Sequence, residues 1–293
     1  MESYASIANR SLRLRRLFAF LVGFGLLLVA SWPAAATDVT GTWEFRSYSP
    51  KKMMLLGAPM PMAQLVAHLT FATDGTTSGY GIFEDGAQCW FESGKWSLDT
   101  RRGQLVANMT LKGDDGSAEV VLTAKVQSSG KFSGQMKYTE INGIQLPLAE
   151  PVYDPVFGYF SDLPPLKFKG QRLTQQPDLA GDYAIMRDNA QVGTMTLTPS
   201  SKVPNGYDLS GQAQDFPYGA CTLKGGAIVY GKACFVAWLE VYYSAQSEEL
   251  NYPEENALVG KYSAGQEQLK LTLKYDGCCE SQRLVLVKTS VSQ

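Results

Sequence analysis

Sulfur atoms that could bind a soft metal cluster in one short stretch. Residues 51–64 read KKMMLLGAPMPMAQ and contain four of the chain's nine methionines, which are Met53, Met54, Met60 and Met62. Thioether sulfur selects Cu(I), so a copper site is one hypothesis. An apolar segment that includes Leu55 and Leu56 more often covers a pocket or docks on a partner. We therefore predict a ligand lid first, a docking face second and copper third.

Histidine chemistry is almost absent from the chain. His68 is the only histidine, and the sequence has no Gly-x-Ser-x-Gly elbow, Walker loop, dinucleotide fingerprint or His-Glu-x-x-His motif. A nucleophile activated by a histidine base is thereby almost excluded. Hydrolysis by paired carboxylates needs only two acids at a cleft, but the acidic residues fall mostly in predicted turns and loops. We expect no enzymatic activity and no cofactor.

Aromatic side chains offer a second kind of site. Trp90, Trp238 and Tyr242 fall on or beside predicted strands and would line a pocket by stacking on sugars, rings or acyl chains. Trp43 and Trp96 occupy positions of an internal repeat and are predicted to be core residues. The acidic, tyrosine-rich residues 238–256 are predicted to contact a protein.

Five cysteines are candidates for disulfides, namely Cys89, Cys221, Cys234, Cys278 and Cys279. Cys221 and Cys234 lie on adjacent predicted strands and are predicted to pair. Cys278 and Cys279 either form a vicinal disulfide, or one of them pairs with Cys89 and the other stays free. No C-x-x-C spacing is present, so a cysteine metal site is disfavoured.

The first 36 residues indicate export. Four arginines precede the apolar run LFAFLVGFGLLLVASW, and three alanines follow it at positions 34–36. This pattern predicts a signal peptide cut after Ala36, with an uncleaved anchor as the alternative. We expect a periplasmic or extracellular protein with no stable membrane insertion after cleavage. Loss of residues 1–36 leaves 22 Lys and Arg against 27 Asp and Glu, a net charge of −5 that argues against nucleic acid and anionic lipid as partners.

One sequence pattern recurs four times. It consists of Gly-x-aromatic, a strand that opens with Gln and an apolar residue, and a turn at Asp-Gly or Asn-Gly; the copies begin at Gly41, Gly94, Gly181 and Gly260. Alternation with period two followed by such a turn predicts a three-stranded antiparallel meander.

Prolines separate the four units into two pairs. Six prolines fall within residues 141–177, where they are hard to place in a central strand. We therefore predict a signal peptide at 1–36, domain one at 37–140, an interdomain connection at 141–176 and domain two at 177–293. Each half has about eight strand-like segments, enough to close a sheet on itself. The predicted fold class is all-β, with two tandem antiparallel β-barrels or, failing closure, two strongly bent meander sheets.

The methionine-rich stretch is an insertion into the first unit. The distance from the unit's glycine to its strand glutamine is 23 residues in the first copy, against 10, 10 and 8 in the others. The surplus matches residues 51–63, which are therefore predicted to extend one turn at the mouth of the first barrel.

The segment Gly41-Thr42-Trp43 before a β-meander resembles the start of the first strand in the calycin superfamily, the lipocalins and avidins. Gly181-Asp182-Tyr183 is a weaker match. The resemblance implies a small antiparallel barrel whose base is closed by the Trp43 indole. The Thr-Asp-Tyr signature of lipocalins is missing, and no ligand is carried over from the family.

These features predict an exported, non-enzymatic binding protein in which the loop at residues 51–63 shapes a ligand pocket or a docking face. Its partner would be a small apolar or aromatic molecule, or an envelope protein. An alternative is a secreted inhibitor or envelope-assembly protein that acts by protein contact. A third hypothesis is a periplasmic Cu(I)-binding protein.

Overall fold

A computed structural model describes most of the chain beyond residue 37. The described residues are 38–49, 52–55, 58–61, 63–113, 116–147, 152–154, 158–160, 163–173, 176–203, 205–216, 219–244, 253–275 and 281–289. The predicted signal peptide at 1–36 lies outside them. Within these ranges, no helix has the length and apolar character needed to cross a bilayer.

Eight of the first thirteen strands form the first closed barrel, which we call barrel one. The strands are β1 (Gly41–Ser49), β2 (Lys52–Leu55), β3 (Ala58–Pro61), β4 (Leu65–Phe71), β5 (Thr76–Phe83), β6 (Gln88–Asp99), β7 (Gln104–Gly113), β8 (Gly116–Val126), β9 (Lys131–Ile141), β10 (Ile144–Gln145), β11 (Val152–Asp154), β12 (Gly158–Phe160) and β13 (Leu166–Arg172). The sheet runs β9-β13-β1-β4-β5-β6-β7-β8, and pairing of β8 with β9 closes it. β2–β3 and β11–β12 are separate hairpins.

The last eight strands form the second closed barrel, barrel two, in the order of the chain. They are β14 (Gly181–Arg187), β15 (Ala190–Pro199), β16 (Gly206–Phe216), β17 (Gly219–Tyr230), β18 (Cys234–Tyr243), β19 (Glu254–Ser263), β20 (Gln268–Tyr275) and β21 (Ser281–Lys288), with one 3-10 turn at Ala264–Gln266. Both barrels belong to one compact unit that starts at Val39.

The predicted fold class is confirmed, and each repeated unit forms three consecutive neighbouring strands. The meanders are β1-β4-β5, β6-β7-β8, β14-β15-β16 and β19-β20-β21. Along β7 the side chains of Leu105, Ala107 and Met109 point into the barrel, as period-two alternation requires. The motif glycines Gly41 and Gly181 have φ values of +103° and +136°, a conformation that favours glycine, whereas at Gly94 and Gly260 a Cβ would collide with the neighbouring strand.

Barrel one differs from the predicted strand assignment in two places. Its eighth strand, β13, comes from within residues 141–176, which the sequence assigned to an interdomain connection. Leu166 and Phe168 of this strand are buried while Lys167 and Lys169 point outward, and the neighbouring prolines concealed this alternation. The second copy of the repeat, predicted to begin at Gly94, starts inside the longer strand β6, which has a bulge between Glu92 and Lys95.

The two barrels close at the base by the same arrangement. The Trp43 indole N–H donates to the Val39 carbonyl at 2.7 Å, and the Tyr183 hydroxyl donates to the Leu179 carbonyl at 2.9 Å, in each case four residues earlier. In barrel one the Arg172 guanidinium also lies over the indole, 5.2 Å from the ring centroid. Trp43, predicted as a core residue, is buried, and so is its counterpart Tyr183; Trp96, also predicted as core, is half-buried and packs against the core of barrel one.

Candidate functional site

The Met-rich insertion forms the hairpin β2–β3, which pairs only with itself among the described strands. Met53 lies opposite Met60, Met54 opposite Pro59 and Leu55 opposite Ala58. Leu56 and Met62 lie outside the described residues. The lid, docking and copper interpretations of residues 51–63 stay predictions.

Barrel two shows what the same connection looks like without the insertion. Its first two strands, β14 and β15, are joined by Asp188 and Asn189, both with positive φ. The residues after the connection match as well, since AQV at 190–192 corresponds to AQL at 63–65. Counted from the motif glycine, barrel one has one more residue than barrel two before the connection, so residues 49–62 stand in place of a two-residue turn and account for the other twelve surplus residues.

The lumen of each barrel is occupied by packed apolar side chains. In barrel one, aromatic rings follow one another through the interior: Trp43 to Phe132 at 5.0 Å, Phe132 to Phe168 at 5.5 Å, Phe168 to Phe45 at 5.4 Å and Phe45 to Phe91 at 6.1 Å. Barrel two contains one continuous buried cluster that draws on all eight of its strands. Small barrels commonly fill their interior with side chains in this way.

A seam joins the outer faces of the two barrels. Its apolar part contains buried residues of barrel one, namely Val66, Tyr80 and Ile82, and of barrel two, namely Val203, Ile228 and Val236. Trp90 and Trp238, predicted to line a pocket, are half-buried and both pack against this cluster. The structure thus brings these two tryptophans to one place, where they contribute to the contact between the barrels.

The seam also contains a buried carboxylate and the only histidine. Glu44 and His68 lie opposite each other on β1 and β4, and their exposed fractions are 1% and 2%. Glu44 accepts hydrogen bonds from the Gly231 backbone N–H at 2.9 Å, from Gln176 Nε2 at 3.3 Å and from the Gln171 side-chain amide. A buried carboxylate is tolerated when donors surround it in this way.

His68 contacts barrel two directly. Its Nε2 lies 2.9 Å from the Val229 carbonyl oxygen, which also accepts a bond from Gln176 Nε2 at 2.7 Å. Because a carbonyl oxygen only accepts, His68 Nε2 is the donor in this contact and carries the proton. His68 is therefore a structural residue of the seam.

An ion cluster lies at the edge of the seam. Glu84 pairs with Arg46, and its Oε2 lies 3.7 Å from Lys274 Nζ of barrel two. Lys274 Nζ also donates to the Glu84 backbone carbonyl at 3.2 Å. This cluster adds a third type of contact between the barrels.

The structure corrects the predicted pairing of Cys221 with Cys234. Both residues are free thiols, and strand register places Cys221 opposite Tyr243 and Cys234 opposite Tyr230, at opposite ends of the β17–β18 hairpin. The separation is roughly 30 Å at about 3.3 Å per residue, far beyond the reach of a disulfide.

Burial shifts the pKa values of the three described thiols. Cys89 is also free and lies in the core of barrel one, where burial raises its pKa. Burial raises the pKa of Cys221 to about 11. Burial likewise raises the pKa of Cys234, although nearby Arg46 opposes the shift. Cys278 and Cys279 lie outside the described residues.

Tyr242 lies on the outer face of barrel two. Its hydroxyl donates to Glu240 Oε2 at 2.8 Å, a bond that raises the tyrosine pKa, and the Lys224 ammonium lies 5.1 Å from the ring centroid. Residues 245–252 of the predicted protein-contact segment fall outside the described residues.

Sequence reasoning missed a groove on the outside of barrel one. The groove has a volume of about 590 Å³. It is lined by the cations Arg102, Lys125 and Lys167, by the ring of Tyr48, and by polar residues that include Gln104, Thr123, Ser133 and Gln135. Tyr48 is 43% exposed, and the Lys169 ammonium lies 5.4 Å from the centroid of the Tyr48 ring.

This face is cationic although the whole chain is acidic. Strands β8, β9 and β13 are neighbours, and residues 120–139 and 163–177 contain no aspartate or glutamate. Those two ranges carry six cations, Lys125, Lys131, Lys137, Lys167, Lys169 and Arg172. The two acid-free runs could have predicted a cationic face from the sequence. The net charge of the whole chain does not show it, because acidic residues elsewhere outnumber these cations.

No group of three or more histidine, cysteine, aspartate or glutamate side chains in the described part of the chain is placed to bind a metal ion. Comparison with known proteins gives no relative, because no protein-family model matches the chain and no curated protein matches its sequence.

Proposed function

We propose that this chain is an exported, non-enzymatic binding protein that contacts its partner with the outside of barrel one, at the end where the Met-rich hairpin emerges. The observation that carries the proposal is the hairpin itself, which replaces a two-residue turn of the same frame in barrel two. An insertion that contributes no strand to the barrel is free to serve binding.

We favour a hairpin that docks on a partner over a hairpin that covers a ligand as a lid. Packed aromatic rings occupy the interior of barrel one, so a molecule bound beneath a lid would have to displace them. A partner that binds outside displaces nothing. An envelope protein is therefore the preferred partner, and a small apolar or aromatic molecule is the second.

We further propose that barrel one is of the calycin type. Gly41-Thr42-Trp43 opens its first strand, the indole lies at the base and the Arg172 guanidinium packs on it. This kinship supports a binding role, because a closed barrel is a rigid frame on which loops vary.

A turn graft tests the proposal. Residues 49–62 are replaced by Asp-Asn, which copies the connection between β14 and β15 and keeps Tyr48. The variant is expected to keep its circular dichroism spectrum and cooperative melting, and to lose the bound mass that native mass spectrometry detects on wild-type protein from its exported location. The denatured mass of the same sample reports the predicted cut after Ala36.

The matched control changes the other turn by D188N/N189G, which retains positive-φ residues and leaves the hairpin intact. It should bind like the wild type. If the graft unfolds barrel one, the insertion is core; if the graft retains the bound mass, the contact lies elsewhere. A wild type without any bound mass or partner also contradicts the proposal.

A further inference from the structure

The groove on barrel one has features of a ligand site that the hairpin does not explain. It lies where three strands pass side by side: Thr123 of β8 pairs with Gln135 of β9, which pairs with Lys167 of β13. Lys167 in turn lies opposite Ser49, the last residue of β1, so the groove borders the base of the Met-rich hairpin.

The lysines of the groove have no carboxylate partner. Among the described residues, neither Lys125 nor Lys167 has an aspartate or glutamate oxygen within 4 Å, whereas Arg102 lies 3.7 Å from Asp99. Two lysines without a carboxylate partner in the described ranges, on acid-free stretches of β8 and β13, create a positive local potential in a chain whose net charge is −2, while Asp99 lies at the Arg102 edge of the groove. Such a groove complements an anionic ligand.

The spacing of the lysines favours an extended ligand. Lys125 lies opposite Ser133 and Lys167 opposite Gln135, so the two lysines are two strands and two residues apart. Standard strand spacing puts their Cα atoms roughly 12 Å apart. A ligand with repeated anionic groups can pair with both ammonium groups, one group at each lysine.

The polar groups around the two lysines suit a sugar. The side chains of Gln104, Thr123, Ser133 and Gln135 are neutral donors and acceptors for hydroxyl groups. Tyr48 presents an exposed ring at the edge, which can stack on the apolar face of a pyranose. Single-stranded nucleic acid is bound by several stacked aromatics, and Tyr48 is the only large hydrophobic side chain exposed in the described part of the chain.

We propose that this groove binds an acidic oligosaccharide, with uronate carboxylates paired to Lys125 and Lys167 and a sugar ring stacked on Tyr48. The proposal rests on the proposed function in one respect, the use of the outside of barrel one, and adds the ligand class. Binding is reversible and non-covalent, and it weakens as salt screens the charges.

Titration calorimetry with the full chain tests this at low ionic strength. The probe is a hexamer of galacturonic acid, with neutral galactose hexamer as the matched ligand. The wild type should bind the acidic hexamer only. K125Q/K167Q should weaken binding about tenfold, since it removes two exposed ion pairs with the ligand, and Y48A should weaken it about fivefold. The control K261Q/K270Q removes two exposed, mutually opposite lysines from barrel two and should bind like the wild type.

Four results overturn the proposal: no heat with the acidic hexamer, equal binding of the neutral hexamer, an equal loss in K261Q/K270Q, or tighter lysine-dependent binding of oligothymidylate or phosphatidylglycerol vesicles. The turn graft separates this inference from the proposed function because it retains all groove residues. A graft that loses the native partner but still binds the hexamer supports both. If the graft loses the native partner and neither the wild type nor the graft binds the hexamer, only the groove proposal is wrong.

Discussion

Barrel one and barrel two share a frame and differ at one end. Each has eight antiparallel strands and an aromatic residue at the base that donates a hydrogen bond four residues back. Barrel one adds the hairpin and the cationic groove, whereas barrel two closes the same connection with Asp188 and Asn189. Under the proposed function, barrel one carries the contact features and barrel two supports it with the same eight-stranded frame.

The largest expected effect comes from removing the base of barrel one. Trp43→Ala deletes a buried indole, its hydrogen bond to Val39 and its contacts with Phe132 and Arg172. A cavity of this kind lowers the free energy of unfolding by about 3–5 kcal/mol. Chemical denaturation measures the loss, and hydrogen exchange followed by mass spectrometry shows which barrel opens.

Tyr183→Ala is the matched change in barrel two and should open that barrel first. Its cost should be smaller, because no cation of the described residues lies over the Tyr183 ring as Arg172 lies over Trp43. If both variants expose both barrels to the same extent, the barrels unfold as one cooperative body and the comparison between them loses its energetic meaning.

The seam should show the next largest effect. Glu44→Ala leaves the Gly231 N–H and the Gln176 amide without their buried acceptor. Hydrogen bonds to a charged group contribute about 1.5–3 kcal/mol, so we expect a loss of about 2–3 kcal/mol and two separate melting transitions in calorimetry. Glu92→Ala is the control, since its pair with Lys112 is exposed and should be worth less than about 1 kcal/mol. A single unshifted transition for Glu44→Ala would show that the apolar contacts alone couple the barrels.

Local patterns predicted most of the frame. Alternation in strands such as QLVAHLTF, together with glycine turns, located the four meanders and the insertion, because period two and positive φ act over a few residues. The strand β13 was missed since Pro164 and Pro165 stand next to it, although they precede its first ladder position.

The contacts of the site depend on long-range geometry. Glu44 and His68 are buried only because Gly231 and Val229 arrive from barrel two, more than 160 positions later in the chain. The groove likewise combines lysines of β8 and β13, which become near neighbours only when barrel one closes. No spacing rule in a single sequence gives these contacts.

The reactivity of the three described thiols distinguishes the cores of the two barrels from the seam. Burial raises the pKa of all three described thiols, to about 11 for Cys221, and nearby Arg46 opposes the shift at half-buried Cys234. Because the thiolate is the reactive form, iodoacetamide at pH 8 should label Cys234 first, Cys221 more slowly and Cys89 most slowly. The Cys221 rate should rise until the pH reaches about 11. Peptide mapping measures the order, and a peptide pair linked through Cys221 and Cys234 would contradict the strand register.

The smallest effect isolates one hydrogen bond at the base of barrel two. Tyr183→Phe keeps the ring but removes the donor to the Leu179 carbonyl, so the free energy of unfolding should fall by about 1 kcal/mol and the melting temperature by about 2 °C.

The pH dependence of this variant distinguishes the base of barrel two from the base of barrel one. Burial raises the pKa of Tyr183, so the unfolded chain releases this proton first. The stability contributed by the phenol is therefore complete below pH 10, the ordinary tyrosine value, and is lost as the pH rises above it. Trp43 does not titrate, so barrel one should lack this contribution at its base. Between pH 8 and 11, the melting temperature should consequently fall more steeply for the wild type than for Tyr183→Phe. An equal fall in both proteins would show that the phenol does not control the alkaline stability of barrel two.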